Sequence, residues 1–218
     1  MGNRVRYVIK DREQSPQAES FRTLCARIQS AEFRGGKVQS VLFASASEGD
    51  GGTMTAVNAA AALAYAGNKV VLVDCDLRNP IVCEGFGLEN IGLTNLIQGE
   101  VLMKDILQES WVPNLRVVTS GPLPVGPITA LSNEKTRALF DYLRTVADYI
   151  VLTSSPLIFK RDYVVSDACV LASKVDSVVL VIDSKTVTPK AAQKAAELLK
   201  GAKANILGTV INDVVGYE

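Results

Sequence analysis

The chain has 218 residues, of which 48% are apolar and 21% charged, with 23 basic residues against 23 acidic ones, enough for one large core or at most two small ones. That balance leaves no global field to gather nucleic acid or an anionic membrane, and the absence of histidine removes imidazole bases and histidine-containing metal sites. The four cysteines (Cys25, Cys75, Cys83 and Cys169) lack the CxxC spacing of a zinc or redox centre and suit a reducing cytoplasm.

Residues 1–14 are polar and of mixed charge and read as an extended arm, leaving 15–218 as a single domain. The first residues lack the apolar core of a signal peptide. Arg6 stands where a myristoylation motif wants Ser or Thr, so Gly2 is not expected to carry a lipid. No run of 18 apolar residues is present to span a bilayer. Ser15-Pro16 opens a helix over 17–31, with serine as the cap and proline in the first turn, and Gly35-Gly36 stops it.

From there strands and helices alternate. Strands are expected at 40–44, 69–73, 115–119, 149–153, 177–182 and 206–211, and helices at 55–66, 133–146, 163–172 and 189–202. Short helical pieces are expected at 93–96 and 102–107. Continuous apolar strands between helices predict an α/β fold, a mostly parallel sheet covered by helices on both faces. Ligands of such sheets bind at the carboxyl ends of the strands, which directs attention to the loops after Ala44, Val73, Leu152 and Ile211.

The first of these loops runs Ala44-Ser45-Ala46-Ser47-Glu48-Gly49-Asp50-Gly51-Gly52-Thr53-Met54-Thr55. Glycines between a strand and a helix let backbone N–H groups converge on a phosphate, and the helix dipole adds positive potential there. A glycine-rich turn with Thr53 as a helix cap is the alternative. The second loop places Asp74 and Asp76 two residues apart just past a strand, where both can face one crevice and hold magnesium or its waters. The alternative is a loop of solvated acids. Asn212 ends the last strand, either against a ligand or simply at a turn.

The ordered set of motifs resembles a known family. The set comprises Ser15-Pro16-x-x-Glu19-x-Phe21-Arg22-Thr23-Leu24, the glycine loop, Asp74-x-Asp76-Leu77-Arg78-x-Pro80 and Gly92-Leu93-Thr94-Asn95-Leu96. It continues with Asn114-Leu115 leading to Gly121-Pro122, Asp148-Tyr149-Ile150-Val151-Leu152, Ser166-Asp167-Ala168 and Gly208-Thr209-Val210-Ile211-Asn212. The chain is similar over about 15–212 to the cytoplasmic domain of the bacterial tyrosine kinases (BY-kinases) of capsule and exopolysaccharide export. These are relatives of the deviant-Walker ATPases that position division sites and segregate DNA. The resemblance implies a three-layer P-loop NTPase-like fold. It also implies ATP or ADP contacts at Gly49, Asp50, Gly51, Gly52, Thr53, Met54, Arg78 and Asn212, with Asn212 at the adenine. Magnesium would sit at Thr53, Asp74 and Asp76, and the two aspartates would carry what catalysis remains. Oligomer contacts would fall on Glu19 and Arg22, and Tyr217 would be the phosphate acceptor. The implied partner is the cytoplasmic segment of a polysaccharide-export membrane protein, approached from the inner face of the cell membrane without insertion, and the implied assembly is a homo-oligomer.

The departures from the family pattern fall on charge. Its phosphate loop ends Gly-Lys-Ser/Thr, and Gly52 stands at the lysine. Its third motif reads Asp-Thr-Pro-Pro, and this chain has Thr153-Ser154-Ser155-Pro156, with Thr153 at the aspartate. Lys160 and Arg161 lie just beyond as candidate substitute cations. In the family's Glu-x-x-Arg-x-x-Arg helix the second arginine is here Cys25, and Arg27 points about 200° around the helix from where that arginine would lie. The chain's end carries Tyr217 without the family's tyrosine cluster. Phosphoryl transfer depends almost wholly on positioning and charge stabilisation. The resemblance therefore implies a protein that keeps a nucleotide cradle or a structural role with little transfer. An active kinase with rearranged charges and a positioning or partition ATPase are the alternatives.

Overall fold

A computed structural model of the chain describes residues 15–33, 35–159 and 163–212; the 1–14 arm, Lys160, Arg161 and Tyr217 lie outside them. The chain opens with α1 (Pro16–Ser30), capped by the Ser15 side chain, which accepts the Ala18 N–H. A small hairpin of β1 (Glu32–Phe33) and β2 (Gly36–Lys37) follows. Next come β3 (Ser40–Ser45), α2 (Gly52–Tyr65), β4 (Val70–Val73), α3 (Val82–Phe86) and α4 (Leu93–Gln98). The middle of the chain is β5 (Gln108–Glu109), β6 (Leu115–Val118), α5 (Pro127–Ser132), α6 (Glu134–Val146) and β7 (Tyr149–Leu152). The last third holds β8 (Ile158–Phe159), β9 (Tyr163–Val164), α7 (Asp167–Ala172), β10 (Ser177–Asp183), α8 (Pro189–Gly201) and β11 (Ile206–Asn212).

Seven strands form one sheet in the order β11-β10-β3-β7-β4-β6-β5, parallel throughout except for β5. The central strands are apolar runs because both faces are covered: β3, β4 and β7 are buried at every position. On one face Val41, Phe43, Leu72 and Val151 pack with α1 and α2. On the other, Leu42, Val71, Val73 and Ile150 pack with residues of α5, α6, α7 and α8. Eleven residues of α2 are buried, and its alanines let the helix lie close to both the sheet and α1. There Cys25 Sγ reaches the Ala59 carbonyl at 3.5 Å.

The strand order does the functional work. After β3 the chain moves outward to β4 and β6, returns to insert β7 between β3 and β4, and then continues on the far side through β10 and β11. The carboxyl ends of β3, β7 and β4 are thereby adjacent, and sheets of this kind bind ligands where the strand order reverses. Leu152 is level with Leu42 of β3 and Val73 of β4, so Thr153 emerges between the two loops.

Four expectations need correction. The second helix begins at Gly52, not at residue 55, because Gly51 in the left-handed region (φ 81°) ends the loop and its carbonyl takes both the Thr55 N–H (2.8 Å) and the Thr55 hydroxyl (2.9 Å). Residues 102–107 form a turn closed by Asp105 N–H to the Leu102 carbonyl, and β5 follows at once. Residues 163–172 are not one helix: Tyr163 and Val164 pair with β8, as suits an aromatic and a β-branched residue, and α7 begins at Asp167. The short helices α3 and α5 were not anticipated.

Candidate functional site

The glycine loop between β3 and α2 is built largely from main chain, and part of its hydrogen-bonding capacity is already used. Asp50 turns inward and is fully buried, its Oδ2 accepting the Ser47 N–H at 2.7 Å while Oδ1 has no partner. Burial pushes its carboxyl up to about 6, against the pull of the Ser47 amide. Ser45, at the end of β3, accepts the Gly52 N–H on its hydroxyl at 3.1 Å. Asn212, at the end of β11, donates through Nδ2 to the Asp50 carbonyl at 2.8 Å and lies 3.4 Å from the Thr55 hydroxyl. That asparagine thus ties the last strand to the loop. The N–H groups of Gly49, Gly51, Thr53 and Met54 have no hydrogen-bond partner among the described residues, nor has the Thr53 hydroxyl. Four amides clustered at the start of a 14-residue helix retain the elements of an anion cradle.

Gly52 is constrained by its neighbour. A Cβ built there would collide with Ser45 Oγ and sit 3.4 Å from Ser45 Cβ and N. Any larger residue at position 52 therefore requires the Ser45 hydroxyl to rotate away and release the Gly52 amide. Gly51 is likewise pressed by the Asn212 amide.

On the other side, Asp74 and Asp76 leave the end of β4 and converge, with the Asp76 N–H on Asp74 Oδ1 at 3.2 Å. Two hydroxyls from the loop after β7 meet them. Thr153 donates to Asp74 Oδ1 at 2.7 Å, and Ser155 donates to Asp76 Oδ1 at 2.6 Å. Thr153 Oγ1 also accepts the Cys75 N–H at 3.1 Å, and Asp76 Oδ1 accepts the Asn79 N–H at 3.2 Å. Asp74 is fully buried and Asp76 is 6% exposed. Burial raises both carboxyls, Asp74 to about 7, with the Thr153 and Ser155 hydroxyls pulling the other way. Among the described residues no group of three or more acids and cysteines is arranged to hold a metal ion. Both Oδ1 atoms are taken by hydroxyls and amides, and Asp74 Oδ2 meets the Val82 N–H at 3.4 Å, which leaves at most Asp76 Oδ2 of the pair's oxygens open to a cation, too few for these acids alone to hold one.

The remaining expected residues take other positions. Arg78 forms a bidentate pair with fully buried Asp167 at the start of α7, 2.6 Å from Nε to Oδ2 and 3.2 Å from Nη2 to Oδ1. Met54 packs against the α2 side of the core. Glu19 and Arg22 make an exposed i,i+3 ion pair at 3.0 Å, of a kind worth little to stability. Cys25 is turned inward beneath it, and burial pushes its thiol up to about 12. At the opposite end of the sheet a cleft of about 550 Å3 is lined by Lys37, Gln39, Lys69 and Arg144 among others. Its polar groups serve the fold: Gln39 donates to the Arg144 and Ala147 carbonyls, and Arg144 clamps Asp176.

Sequence reading located the loops and the two aspartates but missed Ser45 and Ser155 as their partners and Asp167 as the partner of Arg78. A serine at a strand end and hydroxyls in a substituted motif carry no pattern of their own. The one available signal was Asp167 inside a motif already noted for its resemblance.

The chain was compared with known proteins. No family model matches it. It is 35% identical over 199 residues to the tyrosine-protein kinase YwqD of Bacillus subtilis, covering 91% of this chain and 81% of that protein. It is 32% identical over 205 residues to the putative tyrosine-protein kinase CapB of Staphylococcus aureus, covering 94% and 87%. Among solved structures, the chimerical protein CapA2B2 superposes with a TM-score of 0.87 at 29% identity, over 94% of this chain and 88% of that one. The septum site-determining protein MinD from Pyrococcus horikoshii, complexed with Mg-ADP, shares the fold at a TM-score of 0.67 and 22% identity, over 81% and 71%. With identity above 30% over nearly its whole length, the chain belongs to the bacterial tyrosine-protein kinase family.

Proposed function

We propose that this chain is a weakly catalytic or non-catalytic member of its family, acting as a nucleotide-sensing regulatory subunit of capsule or exopolysaccharide export. The observation that carries the reading is the paired change at one site. Gly52 leaves the phosphates without a lysine, and Thr153 gives a hydroxyl to Asp74 where the family pattern has a third carboxylate. Losing one preorganised charge commonly costs about 10²–10³ in rate, and both changes fall on the group being transferred.

What the chain's own residues do is hold and orient. The amides of Gly49, Gly51, Thr53 and Met54 bind phosphate oxygens, and the dipole of α2 favours the negative charge. Asn212 fixes the loop's far side through the Asp50 carbonyl. When bound, magnesium would supply charge neutralisation between phosphates, and the satisfied acids here offer it little. Docking on the cytoplasmic segment of a membrane partner, at the inner face of the membrane, fits a chain in which no described helix is long and apolar enough to cross one. Oligomer contacts through Glu19 and Arg22 belong to the same reading, weakened by Cys25 facing the core.

The test is ATP turnover and autophosphorylation of the purified chain from a host without tyrosine kinases. Kinases commonly turn over at about 1–100 s⁻¹, and the expected rate is lower by at least about two orders of magnitude. Turnover within that range, with phosphotyrosine on Tyr217, would establish the active-kinase alternative.

A further inference from the structure

We infer that Thr153 and Ser155 are positioning residues that make the acidic pair self-sufficient, so that this site holds its shape without a divalent cation. Two acids buried side by side at strand ends repel one another when ionised and are held there by a cation, by hydrogen-bond donors or by a retained proton. Here the donors are internal. Thr153 caps Asp74 at 2.7 Å and Ser155 caps Asp76 at 2.6 Å, both from one loop and both fully buried. The spacing matches because Asp74 and Asp76 leave β4 two residues apart, and Thr153 and Ser155 leave the adjacent β7 two residues apart. The loop after β7 therefore lies along the loop after β4 like a second rung, held also by Thr153 N–H to the Val73 carbonyl at 3.1 Å. A carboxylate at position 153 would point a third negative group at Asp74 from the same side. Such a trio is the oxygen-rich arrangement that a divalent cation neutralises. The inference does not depend on nucleotide binding, since it concerns how the acids are satisfied in the free chain.

The test is thermal unfolding of the full chain without nucleotide, in EDTA and in millimolar Mg²⁺ at matched ionic strength. The variants are Thr153→Ser, Thr153→Val and Thr153→Asp. The wild type and Thr153→Ser should melt at the same temperature in both buffers. Thr153→Val keeps the shape but removes both the donor to Asp74 and the acceptor of the Cys75 N–H, and should melt roughly 3–10 °C lower in both. Thr153→Asp should melt lower in EDTA and recover by several degrees with Mg²⁺ but not with Na⁺. A wild-type melting point that rises several degrees with Mg²⁺ would overturn the inference, as would a Thr153→Val protein as stable as the wild type. If Thr153→Asp fails to fold even in Mg²⁺, the wild-type response and the Ser/Val pair still decide it.

Discussion

The phosphate loop and the strand ends facing it each carry a neutral residue where the family pattern has a charge, and the two regions accommodate it differently. Around Gly52 the structure stays open. Four amides remain without partners among the described residues, and Ser45 takes up only the Gly52 N–H. Around Thr153 the structure closes, with both aspartates capped by hydroxyls and backbone amides. The difference follows from what each element is made of. A backbone cradle survives the loss of a side chain because its donors are main chain. A cluster of buried carboxylates cannot lose its neutralising partner without finding another. Two sides of one crevice thus differ in kind: the first is built on glycines and a helix end, the second on side chains.

The sharpest way to break this contrast is to restore both charges. Gly52→Lys combined with Thr153→Asp should tighten Mg-ADP binding by about 10² or more, taking roughly 1.5–3 kcal/mol per charge-assisted contact, and the gain should exceed the sum of the single changes. The lysine needs Ser45→Ala alongside it, because a Cβ at position 52 meets the Ser45 hydroxyl. Calorimetric titration measures this, and strictly additive gains would separate the two positions into independent sites. A smaller effect concerns that steric contact alone. Gly52→Ala should destabilise the Ser45 protein yet be neutral or stabilising beside Ser45→Ala, where the helix preference of alanine over glycine is no longer opposed. The coupling should be about 1 kcal/mol, read as a melting-point difference of roughly 2–4 °C.

A third effect is in pH and concerns the acidic side alone. The Asp74 carboxyl is held up to about 7 by burial, so the folded chain keeps a proton that an unfolded aspartate releases near pH 4. The stability this confers is fully present below about pH 4 and is lost as pH rises through about 7. Asp50, raised to about 6, acts with the same sign. Asp176, lowered by Arg144 and the Ser40 and Gln39 amides against its burial, acts with the opposite sign and only below the ordinary aspartate range. Melting temperature against pH should therefore be shallower between pH 4 and 7 for Asp74→Asn than for the wild type. An unchanged slope would mean that Asp74 ionises normally.

Much of the fold could be read from the chain, for a physical reason. Apolar runs such as 40–44 and 149–152 have no other stable home than a sheet buried on both faces, and Ser15-Pro16 marks a helix start through local chemistry alone. The positions of the glycine loop after β3 and of Asp74 and Asp76 after β4 were legible for the same local reason. What escaped reading depended on contacts distant in sequence. The Thr153–Asp74 and Ser155–Asp76 bonds join residues 79 apart, and they exist only because β7 lies between β3 and β4 in the sheet. Arg78 was expected at the nucleotide, yet its bidentate partner Asp167 arrives from 89 residues further on. The early start of α2 at Gly52 turned on a left-handed Gly51, which no periodicity reveals.

Calorimetric titration of the wild-type chain with ADP, in EDTA and again in Mg²⁺, tests most directly whether the cradle persists while the metal side has closed. The account predicts weak binding in both buffers, with dissociation constants agreeing within about threefold, a difference below 1 kcal/mol. Tenfold or greater tightening by Mg²⁺ would contradict the closed acidic pair, and no binding in either buffer would contradict the open cradle.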